Sequence, residues 1–176
     1  MATSERKKSA ARLALALIAA AGLAIDAYVH FDLASTYSPI KSSVLNQGEL
    51  FLGEASVAVV AGAAVLLRPR RYTAAFAFLV AAAGTAAVLV YAYVDIGAFG
   101  PFPDMYDPVW YGEKTLSVIG EAVGAVAALA LFLMLHAKAR RVDPAMASTG
   151  GRIRGSWPRA RRSAHAVGHA PQAPQH

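Results

Sequence analysis

The feature that most constrains this chain is a set of four apolar stretches, each long enough to cross a lipid bilayer. They cover residues 13–31, 50–67, 73–96 and 115–136. A helix rises about 1.5 Å per residue, so each stretch spans most or all of the roughly 30 Å of hydrocarbon in a membrane. The strict polar alternation of an outer-membrane barrel strand is absent from them. The sequence therefore predicts an all-α integral membrane four-helix bundle.

The composition supports a membrane protein and narrows its chemistry. Of the 176 residues, 56% are apolar and 16% are charged, a balance too apolar for a small soluble domain. The chain contains no cysteine, which excludes a thiolate nucleophile, a disulfide framework and a cysteine metal site. The formal net charge of +6 does not indicate nucleic-acid binding, because the basic runs flank apolar stretches and no aromatic residues alternate with them.

The distribution of basic residues predicts the orientation in the membrane. Fifteen of the seventeen lysines and arginines lie before the first stretch, between the second and third, or after the fourth, and only Lys41 and Lys114 lie elsewhere. By the positive-inside rule, both termini are cytoplasmic. We therefore expect a basic cytoplasmic N-terminus over residues 1–12 and a plasma-membrane bundle over 13–137. A disordered basic cytoplasmic tail over 138–176 would be attracted to anionic lipid headgroups.

The first apolar stretch has a second interpretation. Basic residues followed by the apolar run 13–25 and by small residues near Gly22 are also typical of a cleaved signal peptide. We favour a retained helix, because the apolar pattern continues to Phe31 and so reaches a spanning length.

The acidic residues carry the main functional signal. Nine of the eleven lie on the outward side, and the positive-inside rule does not explain them because acids contribute little to it. Each stretch has one acid within roughly 10 Å of its outward end, namely Asp26, Glu54, Asp95 and Glu121. His30 follows Asp26 by one helical turn and shares its face. Because a charge facing lipid is unfavourable, each helix is expected to turn its acid toward the bundle interior.

The outward connection before the fourth stretch is expected to form a stiff lid over these acids. It reads GPFPDMYDPVWYGEK, in which three prolines restrict the backbone and four aromatic residues suit the membrane interface. Lys114 lies seven residues before Glu121 on the same helix face and is a candidate counter-ion. Glu49 and Glu113 would lie near the entrance.

Two ligand-binding interpretations remain open. The first is a cation site, with a divalent metal ion as the candidate cofactor. Its ligands would be Asp26, His30, Glu54, Asp95 and Glu121. Oxygen ligands with one imidazole suit Mn, Fe, Zn or Ca better than copper.

The second interpretation is a pocket for a lipidic or amine-bearing small molecule, with the acidic layer as its polar end. Its walls would be Tyr28, Tyr91, Tyr93 and Trp110. An isomerase-like reaction could arise there, with a carboxyl group as acid and His30 or another carboxylate as base. An enzyme is not favoured, however, because the sequence shows no pairing of a nucleophile with a base.

A structural interpretation competes with both. The acids would pair with Lys41, Lys114 and His30, and the protein would act as a non-catalytic accessory subunit of a larger membrane complex or as a homo-oligomer. Proton translocation is disfavoured, because the inward halves of the stretches contain no ionisable residue before His136 and so offer no continuous relay.

Three segments carry a resemblance to a known family. They are IDAYVHFDLA, LFLGEA and YVDIGAFGPFPDMYDPVWYGEK. Over about residues 12–137 the chain resembles a family of short four-span membrane proteins from high-GC Gram-positive bacteria. More distantly, its layout is similar to DoxX-like four-helix membrane proteins, without a matching diagnostic motif. The resemblance implies four helices and implies no catalytic residue.

Overall fold

The structure, a computed structural model, describes the backbone of residues 2–150 and the side chains of residues 3–137. Its helices are α1 (Ala2–Tyr37), α2 (Gln47–Leu67), α3 (Arg71–Tyr93) and α4 (Gly112–Gly150). Each contains a segment long and apolar enough to cross a membrane. The prediction of an all-α four-helix membrane bundle is therefore confirmed.

The chain divides into two units, residues 1–141 and 142–176. The first unit contains the bundle, and the described part of the second is the end of α4, up to Gly150. Helix α4 runs into the first residues of the tail predicted from residue 138, and the disordered tail over 138–176 stays a prediction. The rest of the tail and all of its basic side chains lie outside the described residues.

The helix boundaries differ from the apolar stretches at both ends of the bundle. α1 extends beyond the predicted 13–31 in both directions, and α3 ends at Tyr93, before the predicted residue 96. Residues 38–46 and 94–111 form the two longer connections, and we call the end of the bundle that carries them the loop end. The opposite end, with the short turn at 68–70, is the turn end.

A capping box fixes the start of α2 at the loop end. The backbone N–H of Glu49 donates to the Asn46 side chain at 2.8 Å, and the Glu49 carboxylate accepts from the Asn46 N–H at 2.9 Å. Two backbone N–H groups that have no partner within the helix are satisfied in this way. The preceding connection is held to the lid by Ser42, whose hydroxyl donates to the carbonyl of Pro101 at 2.7 Å.

Alanine dominates the buried core, so the helices approach closely. Fully buried core residues include Ala16, Ala58, Ala61, Ala74 and Ala128. Helices α1 and α4 approach closely at Gly22, where a Cβ atom would overlap the carbonyl of Gly120 and press on the backbone of Gly124. A bilayer supplies no hydrophobic driving force between helices, so close packing of small residues stabilises such crossings instead. This packing determines which side chains meet above it at the loop end.

Candidate functional site

Three carboxylates from three helices meet in the interior at the loop end. Asp26 of α1, Glu54 of α2 and Glu121 of α4 each offer one oxygen, and these oxygens all lie within 4.8 Å of one another. Asp26 and Glu121 are 0% exposed, and Glu54 is partly buried. We call these three residues the carboxylate cluster. The sequence predicted inward-facing acids at all three positions, and the structure brings them together.

Hydrogen bonds orient Asp26 and leave one of its oxygens free. The Ser117 hydroxyl donates to Asp26 Oδ1 at 2.8 Å, and His30 Nδ1 lies 2.7 Å from the same oxygen. His30 therefore contacts the cluster through Asp26, as its position one turn along α1 predicts. Its ring is fixed by edge-on packing against Phe51, with centroids 4.9 Å apart. Both donors act on Oδ1, so Oδ2 points away from them.

Four oxygens of the carboxylate cluster have no hydrogen-bond partner among the described residues. They are Asp26 Oδ2, Glu54 Oε1 and both oxygens of Glu121, and all are buried. The nearby hydroxyl of Thr85 donates to the carbonyl of Ala81 instead. Buried polar groups without partners are rare in folded proteins, and carboxylates without partners are the most unfavourable of them. The cluster is thus a set of acceptors that the described chain does not satisfy.

Helix α3 contributes space to the cluster rather than an acid. Gly84 faces it so closely that a Cβ there would overlap the Glu121 carboxyl group and lie 3.4 Å from Glu54 Oε1. The expectation that every helix turns one acid inward fails for α3. Asp95 lies beyond the end of the helix and is exposed, because the backbone becomes extended at Val94. The sequence pattern could not show that the helix ends two residues before this acid.

Lys114 does not act as the counter-ion of Glu121. Its ammonium group lies 3.5 Å from the Asp107 carboxylate and donates to the carbonyls of Asp107 and Val109. It also lies 5.4 Å from the centre of the Trp110 ring. Seven residues separate it from Glu121, so the two groups are about 10 Å apart along the helix axis. Lys114 therefore holds the lid and does not neutralise the carboxylate cluster.

The acids expected at the entrance are placed elsewhere. Glu49 forms the capping box of α2, and both it and Glu113 are exposed. Neither belongs to the carboxylate cluster.

A cavity of about 420 Å³ adjoins the cluster beneath the lid. Its polar lining includes His30, Gln47, Glu54 and Ser117. Apolar and aromatic side chains form most of the remaining wall, among them Leu33, Phe51, Val88, Tyr91, Phe102 and Met105. Of the predicted wall residues, Tyr91 lines it, whereas Tyr28, Tyr93 and Trp110 are exposed. A helical aromatic residue can face lipid as readily as the interior, so aromatic content alone did not distinguish these positions.

The lid is pinned over the cavity by a chain of hydrogen bonds. The hydroxyls of Tyr37 and Tyr111 lie 2.7 Å apart, and the Tyr37 hydroxyl donates to Asp107 at 3.3 Å. Since the Tyr37 proton is directed to Asp107, Tyr111 donates to Tyr37. Burial raises the pKa of Tyr111, and this hydrogen bond raises it further. The Asp107 N–H donates to the carbonyl of Tyr91 at 3.0 Å, which ties the lid to α3.

Two site residues were missed by the sequence interpretation, although spacing gives a signal for both. Ser117 precedes Glu121 by four residues, and Gln47 precedes Glu54 by seven, so each shares a helix face with an acid. Neither residue is charged, and the interpretation followed charge.

The arrangement defines a multi-pass membrane protein with a buried acidic site beside a cavity that the lid partly covers. Comparisons with protein-family models, curated proteins and solved structures find no match for the chain. The resemblances to a family from high-GC Gram-positive bacteria and to DoxX-like proteins therefore stay predictions.

Proposed function

We propose that this membrane protein binds a positively charged ligand at the carboxylate cluster. The ligand is a divalent metal ion or the ammonium group of an organic molecule, since both supply positive charge to carboxylate oxygens. The observation that carries the proposal is the set of four buried cluster oxygens without donors. Neighbouring charge is insufficient: His30 contacts Asp26, while Lys114 is engaged with Asp107. Three adjacent carboxylates in a medium of low dielectric constant require a cation or bound protons.

The spacing of the cluster suits a single metal ion. Ca²⁺ binds oxygens at about 2.3 to 2.6 Å, so oxygens on opposite sides of one ion lie about 5 Å apart. The cluster oxygens lie within 4.8 Å of one another and can reach a common centre. Their hard-oxygen chemistry favours Ca²⁺, Mg²⁺ or Mn²⁺. In this proposal His30 and Ser117 position Asp26 rather than serving as ligands.

We further propose that the site faces the outer side of the plasma membrane and that both termini lie in the cytoplasm. The basic residues of the chain support this orientation through the positive-inside rule. The outward side then carries nine acidic residues against two lysines. Such an excess of negative charge raises the local concentration of cations near the site.

The proposal is tested on the detergent-purified full chain after dialysis against EDTA. Mn²⁺, Ca²⁺ and methylammonium are each added while thermal unfolding and equilibrium binding are measured. A ligand at a hundredfold excess over its Kd stabilises the folded state by about 2.7 kcal/mol. We expect at least one of the three to bind with one-to-one stoichiometry and Glu121→Gln to abolish the effect.

The matched control is Glu113→Gln, which removes the same charge from an exposed position on the same helix. It should leave binding unchanged. Absence of binding by all three cations, or equal loss in both variants, overturns the proposal. The cluster would then serve helix assembly through shared protons, as in the accessory-subunit interpretation.

A further inference from the structure

We infer that the cavity binds an elongated organic amine, with its ammonium group at Glu54 and a second hydrogen-bonding group at Gln47. This inference rests on the proposed cation site and names the class of molecule that supplies the charge. It starts from two unsatisfied groups on one helix. Gln47 is 5% exposed, and its Oε1 has no hydrogen-bond partner among the described residues. The buried Oε1 of Glu54 has none there either.

These two groups mark opposite ends of the cavity. Gln47 and Glu54 both line it and lie seven residues apart on α2. Seven residues are two helical turns, so the groups share a face and are separated by about 10 Å along the axis. On α2 and α3 the lining between them is apolar and includes Leu50, Phe51 and Val88. A molecule that satisfies both groups must therefore have polar ends and an apolar middle.

The remaining polar groups of the cavity exclude other classes of ligand. Tyr37, Tyr111 and Asp107 are hydrogen-bonded to one another, and Lys114 is engaged by the lid. An anionic molecule would meet the Glu54 carboxylate, while the described basic residues that line the cavity, His30 and Lys114, are already paired with Asp26 and Asp107. A wholly apolar molecule would leave the acceptors at both ends unsatisfied, which is unfavourable in a buried site. An amine supplies the missing donors and the missing charge together.

The size and walls of the cavity favour an organic molecule over a bare ion. Its volume of about 420 Å³ falls in the range of small-molecule sites, whereas a metal ion at the cluster would leave it empty. Aromatic faces of Phe51 and Tyr91 stabilise both an apolar chain and an ammonium group. The amide of Gln47 accepts or donates, so a hydroxyl or an amine suits that end.

The test compares four probes on the detergent-purified full chain by equilibrium dialysis. Octamethylenediamine has two charged ends, octylamine has one charged end, and octanediol has two neutral polar ends. Mn²⁺ tests the metal alone. The amount of probe retained by the triple variant Asp26→Asn, Glu54→Gln, Glu121→Gln gives the partition into micelles, and this background is subtracted. We expect octamethylenediamine to bind about tenfold more tightly than octylamine and more tightly still than octanediol.

A second variant isolates the outer end of the ligand. Gln47→Met keeps the length of the side chain and removes the amide, so the affinity for octamethylenediamine should fall about tenfold, to that of octylamine, while octylamine binding stays unchanged. Ser56→Ala is the matched control, because Ser56 is an exposed polar residue of α2 outside the cavity. It should alter neither affinity.

The outcomes separate this inference from the proposed function. Binding of Mn²⁺ that depends on Glu121, with no amine binding, overturns the inference and leaves the cation site standing. Absence of binding by every probe overturns both. Equal affinities for the diamine and the diol overturn the role of charge, and a diamine affinity unaffected by Gln47→Met overturns the second contact.

Discussion

The turn end and the loop end of the bundle both contain fully buried side chains but differ in chemistry. At the turn end the fully buried side chains include Val65 and Leu131, which need no hydrogen-bond partner. At the loop end Asp26 and Glu121 are also 0% exposed, yet four carboxylate oxygens of the cluster have no donor. Among the described residues the turn end leaves one buried donor, Arg12 Nε, without a partner, whereas the loop end leaves four carboxylate oxygens that a ligand or a proton could satisfy. This difference supports placing the proposed ligand site at the loop end.

The largest change in the free energy of unfolding is expected from a substitution between the two ends, at the crossing of α1 and α4. Gly22→Leu places a side chain into the backbone of Gly120 and Gly124, which cannot move away without separating the helices. We expect a loss of about 3 kcal/mol or more in the free energy of unfolding. Gly53→Leu is the control, since a Cβ at Gly53 meets no heavy atom within 4 Å. Chemical unfolding in mixed micelles gives both values, and equal losses would contradict a close crossing.

A smaller loss is expected from a cavity made at the turn end. Leu131 is fully buried, so Leu131→Ala should destabilise the protein by about 2 kcal/mol or more. Leu133 is 56% exposed on the same helix, and Leu133→Ala should change the free energy of unfolding by less than about 0.5 kcal/mol. The same unfolding measurement applies. If the two variants behaved alike, the turn end would not be the packed half of the bundle.

At the loop end, substitution of a buried residue should raise the free energy of unfolding rather than lower it. In cation-free buffer, Glu121→Gln keeps the side-chain shape and replaces one of three adjacent ionisable carboxyl groups by a neutral amide. We expect a gain of about 1 kcal/mol in the free energy of unfolding. Glu113→Gln, on the exposed face, should be close to neutral. A stability loss in Glu121→Gln would show that the cluster is satisfied without a ligand and would remove the contrast between the two ends.

The smallest effect is expected at the lid. Tyr111→Phe removes the hydrogen bond to Tyr37 and should lower the free energy of unfolding by about 1 kcal/mol at neutral pH. Because the pKa of Tyr111 is raised in the folded state, its contribution is complete below pH 10.0. It declines above that pH, because the unfolded phenol loses its proton while the folded one keeps it.

Unfolding measured from pH 8 to pH 11 should therefore show a steeper alkaline decline in the wild type than in Tyr111→Phe. Parallel curves would show that Tyr111 is not held in its protonated form by the lid. Val109→Ala, at an exposed lid position, should follow the wild-type curve.

Much of the candidate site could be predicted from the sequence because depth along a helix follows from residue number. Asp26, Glu54 and Glu121 share one level in the bundle, and His30 shares the face of Asp26. The prediction failed for Asp95 because the end of a helix depends on backbone geometry at Val94, which a run of apolar residues does not reveal. It failed for Lys114 because the partner, Asp107, lies in a connection whose path depends on tertiary contacts.

The sequence by itself determined four membrane-spanning helices, since the thickness of hydrocarbon sets the length of an apolar run and charged residues mark its ends. It also determined that acids lie near one end of the bundle. Only the tertiary structure decided that three acids meet, that Gly84 makes room for Glu121, and that Gln47 and Glu54 line one cavity. The physical reason is that depth is a property of one helix, whereas contact depends on how several helices are rotated and how closely small residues let them pack.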